Sequence, residues 1–221
     1  MFLYANYSNM FLNSRYQYLL LGLCIVAPKS IIEVGLSRGI RALQMVQLAK
    51  KYYPSVKYTG YDVFDTKDSN WHRLVGNGKK VDSKITIEKK LKTLTNNINL
   101  IQGMTSDTLW PHPNNADYVW LDGDHRLESI RKDFESLKES KVIVFDDYYP
   151  TGEHDGFHIE KYGCNKIVET FNENEIFITP ETKELPNVRI VFWSKDILLV
   201  KKLKDYLTKK EKIKQYLSSQ I

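Results

Sequence analysis

Residues 31–40 read Ile31-Ile32-Glu33-Val34-Gly35-Leu36-Ser37-Arg38-Gly39-Ile40, and this stretch decides the fold. Ile31 to Gly35 is a short apolar, β-branched run closed by glycine, the pattern of a buried strand. From Gly39 the hydrophobic period becomes helical, with Ile40, Leu43 and Val46 on one face, and the helix runs to about Tyr53 before Pro54 ends it. A strand, a glycine-bearing turn and a helix in that order make half of a βαβ unit. The glycines let the backbone approach a ligand closely, and the helix N-terminus turns unpaired N–H groups toward it.

The same alternation continues outward. Val56 to Asp62, Ile98 to Gln102, Ala116 to Asp122 and Lys141 to Asp146 read as the second to fifth strands, with Leu127, Ile130, Phe134 and Leu137 marking a helix between the last two. A helix at about Asn165 to Phe171 precedes Glu175 to Thr179 and Asn187 to Trp193, two runs joined by a loop with Pro180 and Pro186 and read as a terminal hairpin. The expected class is α/β: a Rossmann-like, doubly wound, mainly parallel seven-stranded sheet with a C-terminal antiparallel hairpin. One domain is expected over residues 1–198, with 64–95 as a lid-like insertion holding Trp71, His72, Gly76, Gly78 and a Lys-rich helix with Ile87, Leu91 and Leu94. Residues 199–221 form a lysine-rich amphipathic helix whose stripe of Leu203, Leu207, Ile213 and Leu217 is expected to pack on its own domain or on a sister subunit, so a homodimer is one expected assembly.

Composition narrows the partners. The net charge is +5, from 32 Lys and Arg against 27 Asp and Glu. Residues 201–214 hold seven lysines against Asp205 and Glu211, which accounts for the whole surplus. The body lacks the broad basic field that non-specific nucleic-acid binding needs, so no nucleic acid is expected. Cys24 and Cys164 form no disulfide framework and no metal-ligand cluster, which implies a reducing, cytoplasmic setting. The most apolar N-terminal run, Tyr18 to Ala27, is too short to span a bilayer and reads as a packing helix.

Sheets of this kind bind ligands outside the carboxyl ends of their strands. In the first such loop Gly35 and Gly39 are four apart with Ser37 between them, which does not fit the dinucleotide fingerprint. The segment also spells GxSxG, but too little chain precedes it to supply the oxyanion hole of a serine hydrolase. Its form, ExGxxxG, resembles the glycine loop of class I S-adenosylmethionine-dependent methyltransferases. Asp62, 27 residues beyond Gly35 at the next strand end, is placed to accept both ribose hydroxyls of such a cofactor.

Two acidic blocks follow: Trp120-Leu121-Asp122-Gly123-Asp124-His125 and Val144-Phe145-Asp146-Asp147-Tyr148. Four carboxylates and a histidine at neighbouring strand ends repel unless a cation or proton sits among them, and oxygen donors favour Mg²⁺, Mn²⁺ or Ca²⁺. A solvated acidic rim is the plainer alternative. Together with Leu100 to Leu109 (LIQGMTSDTL), and in this order, the blocks resemble metal-dependent O-methyltransferases of the macrocin and novobiocin tailoring type, over about residues 30–195. That resemblance implies a divalent cation, Mg²⁺ first, on Asp122, Asp146 and Asp147, with Asp124 as general base and His125 as its rival. It implies S-adenosylmethionine across Glu33, Gly35, Ser37, Gly39, Asp62, Gly103, Met104, Thr105 and Asp122, and a small-molecule or glycan acceptor. The rival classes are a glycosyltransferase using Asp122 and Asp124 as its DxD motif, and a non-catalytic interaction module.

Overall fold

The structure is a computed structural model and describes residues 14–66 and 81–208. Trp71, His72, Ile213 and Leu217 lie outside the described residues. The strands are β1 (Ser30–Val34), β2 (Lys57–Asp62), β3 (Ile98–Gln102), β4 (Tyr118–Leu121), β5 (Ile143–Tyr148), β6 (Glu153–His154), β7 (Phe157–His158), β8 (Ile176–Ile178) and β9 (Arg189–Trp193). Seven of them form one sheet in the order β3-β2-β1-β4-β5-β9-β8, and β6 pairs with β7 alone. β1 to β5 run parallel, while β9 is antiparallel to both β5 and β8. The expected doubly wound sheet and its terminal hairpin are both present.

The helices are α1 (Tyr16–Val26), α2 (Ile40–Ala49), α3 (Lys84–Lys92), α4 (Thr105–Thr108), α5 (Leu127–Leu137), α6 (Asn165–Val168) and α7 (Ile197–Leu207). Alternation along β1 sends Ile31 to one face and Ile32 and Val34 to the other. The Ile31 face is covered by α1, α2, α3 and α7, and the Val34 face by α5 and α6. α1 is apolar on nearly every side because it is buried on nearly every side. Leu19 and Leu23 are fully buried, each contributing roughly 1.5–3 kcal/mol. Gly22 allows the close approach, since a Cβ there would lie 2.4 Å from the Phe192 ring of β9.

The structure describes part of each outer segment. Residues 84–92 of the expected lid are a cover helix: Ile87 and Leu91, four apart on one face of α3, are fully buried in the same core as α2. The C-terminal helix packs on its own domain, one of the two placements expected for its stripe, with Leu199, Val200, Leu203 and Leu207 buried against the sheet. The fifth strand also extends past its expected end. It runs to Tyr148, with an irregular register between Phe145 and Tyr148, and Asp147 within it has φ 58°. No helix among the described residues is long and apolar enough to cross a membrane.

Candidate active site

The winding direction reverses between β1 and β4: β2 and β3 lie on one side, β5 on the other. Such a switch point leaves a crevice at the carboxyl ends of the strands. A cavity of about 270 Å³ opens there, walled by the glycine loop, Asp62, Met104, Asp122 and His125, with Tyr16 and Arg41 from the covering helices.

The loop owes its path to three residues in the left-handed region: Gly35 at φ 87°, Ser37 at 52° and Gly39 at 69°. Gly35 N–H donates to Tyr61 O at 2.9 Å, and Asp122 N–H to Val34 O at 2.9 Å, which ties the loop to β2 and β4. A Cβ on Gly35 would stand 2.0 Å from the Asp122 carbonyl oxygen, so only glycine fits this cradle. Ser37 takes the same unfavourable region with a side chain, at a cost of order 1–3 kcal/mol.

Asp62 does more than the spacing implied. Its Oδ2 accepts the N–H groups of Leu36 at 2.5 Å and Ser37 at 2.9 Å, and its Oδ1 that of Phe64 at 2.5 Å. The carboxylate therefore clasps the glycine loop from the neighbouring strand end. Met104 and Thr105 line the wall beyond it, where Gly103 N–H donates to Asp62 O at 3.0 Å. Glu33 lies beneath the loop, buried, and accepts the Tyr58 hydroxyl. Burial pushes its carboxyl up to about 8; the Tyr58 hydrogen bond opposes the shift, and Asp122 and Asp62 add to it.

The acidic blocks come together differently from the sequence expectation. Arg15, just before α1, donates Nε and Nη2 to the two oxygens of Asp146, each at 2.7 Å, and both side chains are buried. Asp147 pairs with Nδ1 of His125, which is also buried. Asp124 receives Arg126, at 2.5 Å through Nη2, and Ser129 at 2.7 Å. Burial would raise the Asp124 carboxyl, but the hydrogen bonds from Arg126 and Ser129 outweigh it and hold the group below the usual carboxylate range. Adjacent strand residues point to opposite faces, and even with the irregularity in β5 the two acids diverge to different partners.

Of the expected metal set Asp122, Asp146 and Asp147, Asp146 is paired with the Arg15 guanidinium and Asp147 with the His125 imidazole, so the two neighbouring acids turn to different partners. Among the described residues no three His, Cys, Asp or Glu side chains are arranged to hold a metal ion. The residues present do not fit a divalent ion. They do fit S-adenosylmethionine, because the Gly35 cradle, Asp62 and Met104 surround one cavity at the switch point.

Sequence reasoning missed Arg15, Tyr16, Arg41 and Tyr58. The Arg41 guanidinium lies 3.7 Å from the Tyr16 ring centroid and that of Arg15 lies 4.6 Å from it, so two cations approach the Tyr16 ring at the cavity wall. No local pattern announces these contacts.

A doubly wound sheet ending in an antiparallel hairpin, with a glycine loop at its switch point and an acid at the next strand end, fits a class I methyltransferase. The sequence model of a methyltransferase-domain family matches residues 32–148, more than half of the chain, and the chain belongs to that family as an S-adenosylmethionine-dependent methyltransferase. Solved structures with the same fold include a putative O-methyltransferase from Klebsiella pneumoniae, 13% identical, with a TM-score of 0.55 over 80% of this chain and 78% of that one. An O-methyltransferase from Bacillus cereus in complex with SAH is 12% identical, with a TM-score of 0.55 over 82% and 80%. The O-methyltransferase TomG from Streptomyces achromogenes, involved in tomaymycin synthesis and solved with SAM, is 12% identical, with a TM-score of 0.52 over 81% and 78%. No curated protein matches the chain. Family membership removes the glycosyltransferase reading of Asp122 and Asp124.

Proposed function

We propose that this methyltransferase methylates a hydroxyl oxygen of a small molecule or sugar, with His125 as the proton acceptor. The observation that carries the reading is the Asp147–His125 pair at the wall of the cavity that the glycine loop builds. S-adenosylmethionine, when bound, supplies a methyl group already activated on a sulfonium. The chain's own work is to hold that cofactor, to align an acceptor oxygen and to take its proton.

Gly35, Ser37 and Gly39 present backbone to the cofactor, with Glu33 beneath the loop. Asp62 and Asp122 offer carboxylates for its hydroxyl and amino groups. Gly103, Met104 and Thr105 form the wall on which an adenine packs. Asp147 accepting from Nδ1 fixes the tautomer of His125, so Nε2 is the basic nitrogen. Asp124 is the weaker base because Arg126 and Ser129 stabilise its ionised form.

The test measures S-adenosylhomocysteine release against a panel of phenols, catechols and sugars, with cofactor affinity followed by calorimetry. His125→Ala is expected to lower turnover by roughly 10²–10⁴ while cofactor affinity stays unchanged, the usual worth of a positioned base. Asp124→Asn is expected to keep most of the rate. The reverse pattern would move the base to Asp124, and no transfer to any hydroxyl would reject O-methylation.

A further inference from the structure

The N-terminal helix brings a charge to the site that the family's matched segment does not contain. Arg15 lies outside residues 32–148, yet its guanidinium is buried against Asp146, 131 residues away, through two 2.7 Å bonds. Asp122 also acts on it electrostatically. A planar guanidinium is always charged and matches a carboxylate fork to fork, which makes the pair both strong and directional. Its burial has a further effect. A divalent ion approaching Asp146 would have to displace the guanidinium and leave a buried cation without its partner, next to a second positive charge.

We propose that Arg15 is the resident cation of the acidic cluster at the ends of β4 and β5, standing where a divalent ion would otherwise be needed, so that this methyltransferase takes no metal on Asp122, Asp146 and Asp147. Arg15 is a positioning residue in this arrangement. It neutralises Asp146, and its chain neighbour Tyr16, whose ring both Arg15 and Arg41 approach, lines the cavity. Docking of α1 therefore completes the site. The inference rests on the methyltransferase reading only for what the cluster serves; its test reads metal binding and does not depend on transfer.

The full chain is titrated with Mn²⁺, followed by calorimetry and by loss of the free-ion electron paramagnetic resonance signal. The wild-type chain is expected to take up no stoichiometric Mn²⁺, and its thermal midpoint is expected to be the same in excess Mn²⁺ and in chelator. Arg15→Met keeps the length of the side chain and removes its charge; it is expected to bind no Mn²⁺ but to lower the thermal midpoint by leaving the Asp146 carboxylate buried without its partner, and adding Asp146→Asn is expected to restore part of that loss. Stoichiometric binding by the wild-type chain that Asp146→Asn abolishes would overturn the proposal, as would an Arg15→Met chain whose thermal midpoint equals that of the wild type. If Arg15→Met does not fold, the wild-type and Asp146→Asn titrations decide alone. S-adenosylmethionine affinity, measured on the same samples, reports separately on the methyltransferase reading.

Discussion

Glu33 ties stability to pH in a way that one substitution isolates. Its carboxyl is buried on β1 and is raised from an ordinary 4.5 to about 8, chiefly by burial. The folded chain keeps a proton there that the unfolded chain has released, so stability is greatest below the unfolded value and falls as the pH rises toward the folded one. The slope is about 1.4 kcal/mol per pH unit, and the whole interval from about 4.5 to about 8 amounts to roughly 5 kcal/mol. Between about pH 6 and about pH 7.5 the loss is about 2 kcal/mol, or about 4–8 °C in thermal midpoint for a chain of this size. Glu33→Gln still offers Tyr58 an acceptor and has no proton to lose. The informative quantity is the stability of the wild type minus that of the variant, from urea or thermal unfolding of the cofactor-free protein, because other titrating groups cancel in it. That difference should fall by about 2 kcal/mol over the interval. A difference that stays flat would refute the claim that the buried carboxyl is protonated in the native state.

Two further outcomes test the loop and the cover helix. Gly35→Ala would place a Cβ 2.0 Å from a backbone oxygen at φ 87°, so S-adenosylmethionine affinity and the thermal midpoint should both drop sharply; unchanged cofactor affinity by calorimetry would show that the loop is not the cradle. Ile87→Ala removes a fully buried side chain from α3 and should cost about 2–5 kcal/mol in urea unfolding, whereas a lid residue would leave stability within about 0.5 kcal/mol.

The order of strands and helices, the glycine loop and the position of Asp62 were legible in the sequence because each depends on contiguous chain. The period of the apolar residues sets strand or helix, and Gly35, Gly39 and Pro54 punctuate it. The parallel sheet with a reversed hairpin followed from that alternation and from the connection rules of α/β folds. The partners of the acids were not legible. Asp146 meets Arg15 across 131 residues, Glu33 meets Tyr58 across 25 and Asp147 meets His125 across 22. Such pairings depend on the register of neighbouring strands, on the irregular step in β5 and on where α1 docks, none of which leaves a local pattern. A run of carboxylates therefore suggested a cation from the sequence, and only the packed fold shows that Asp146 meets the Arg15 guanidinium. The role of α3 has the same origin, because its apolar stripe fits a lid or a cover equally well until the neighbouring strand takes up Ile87 and Leu91.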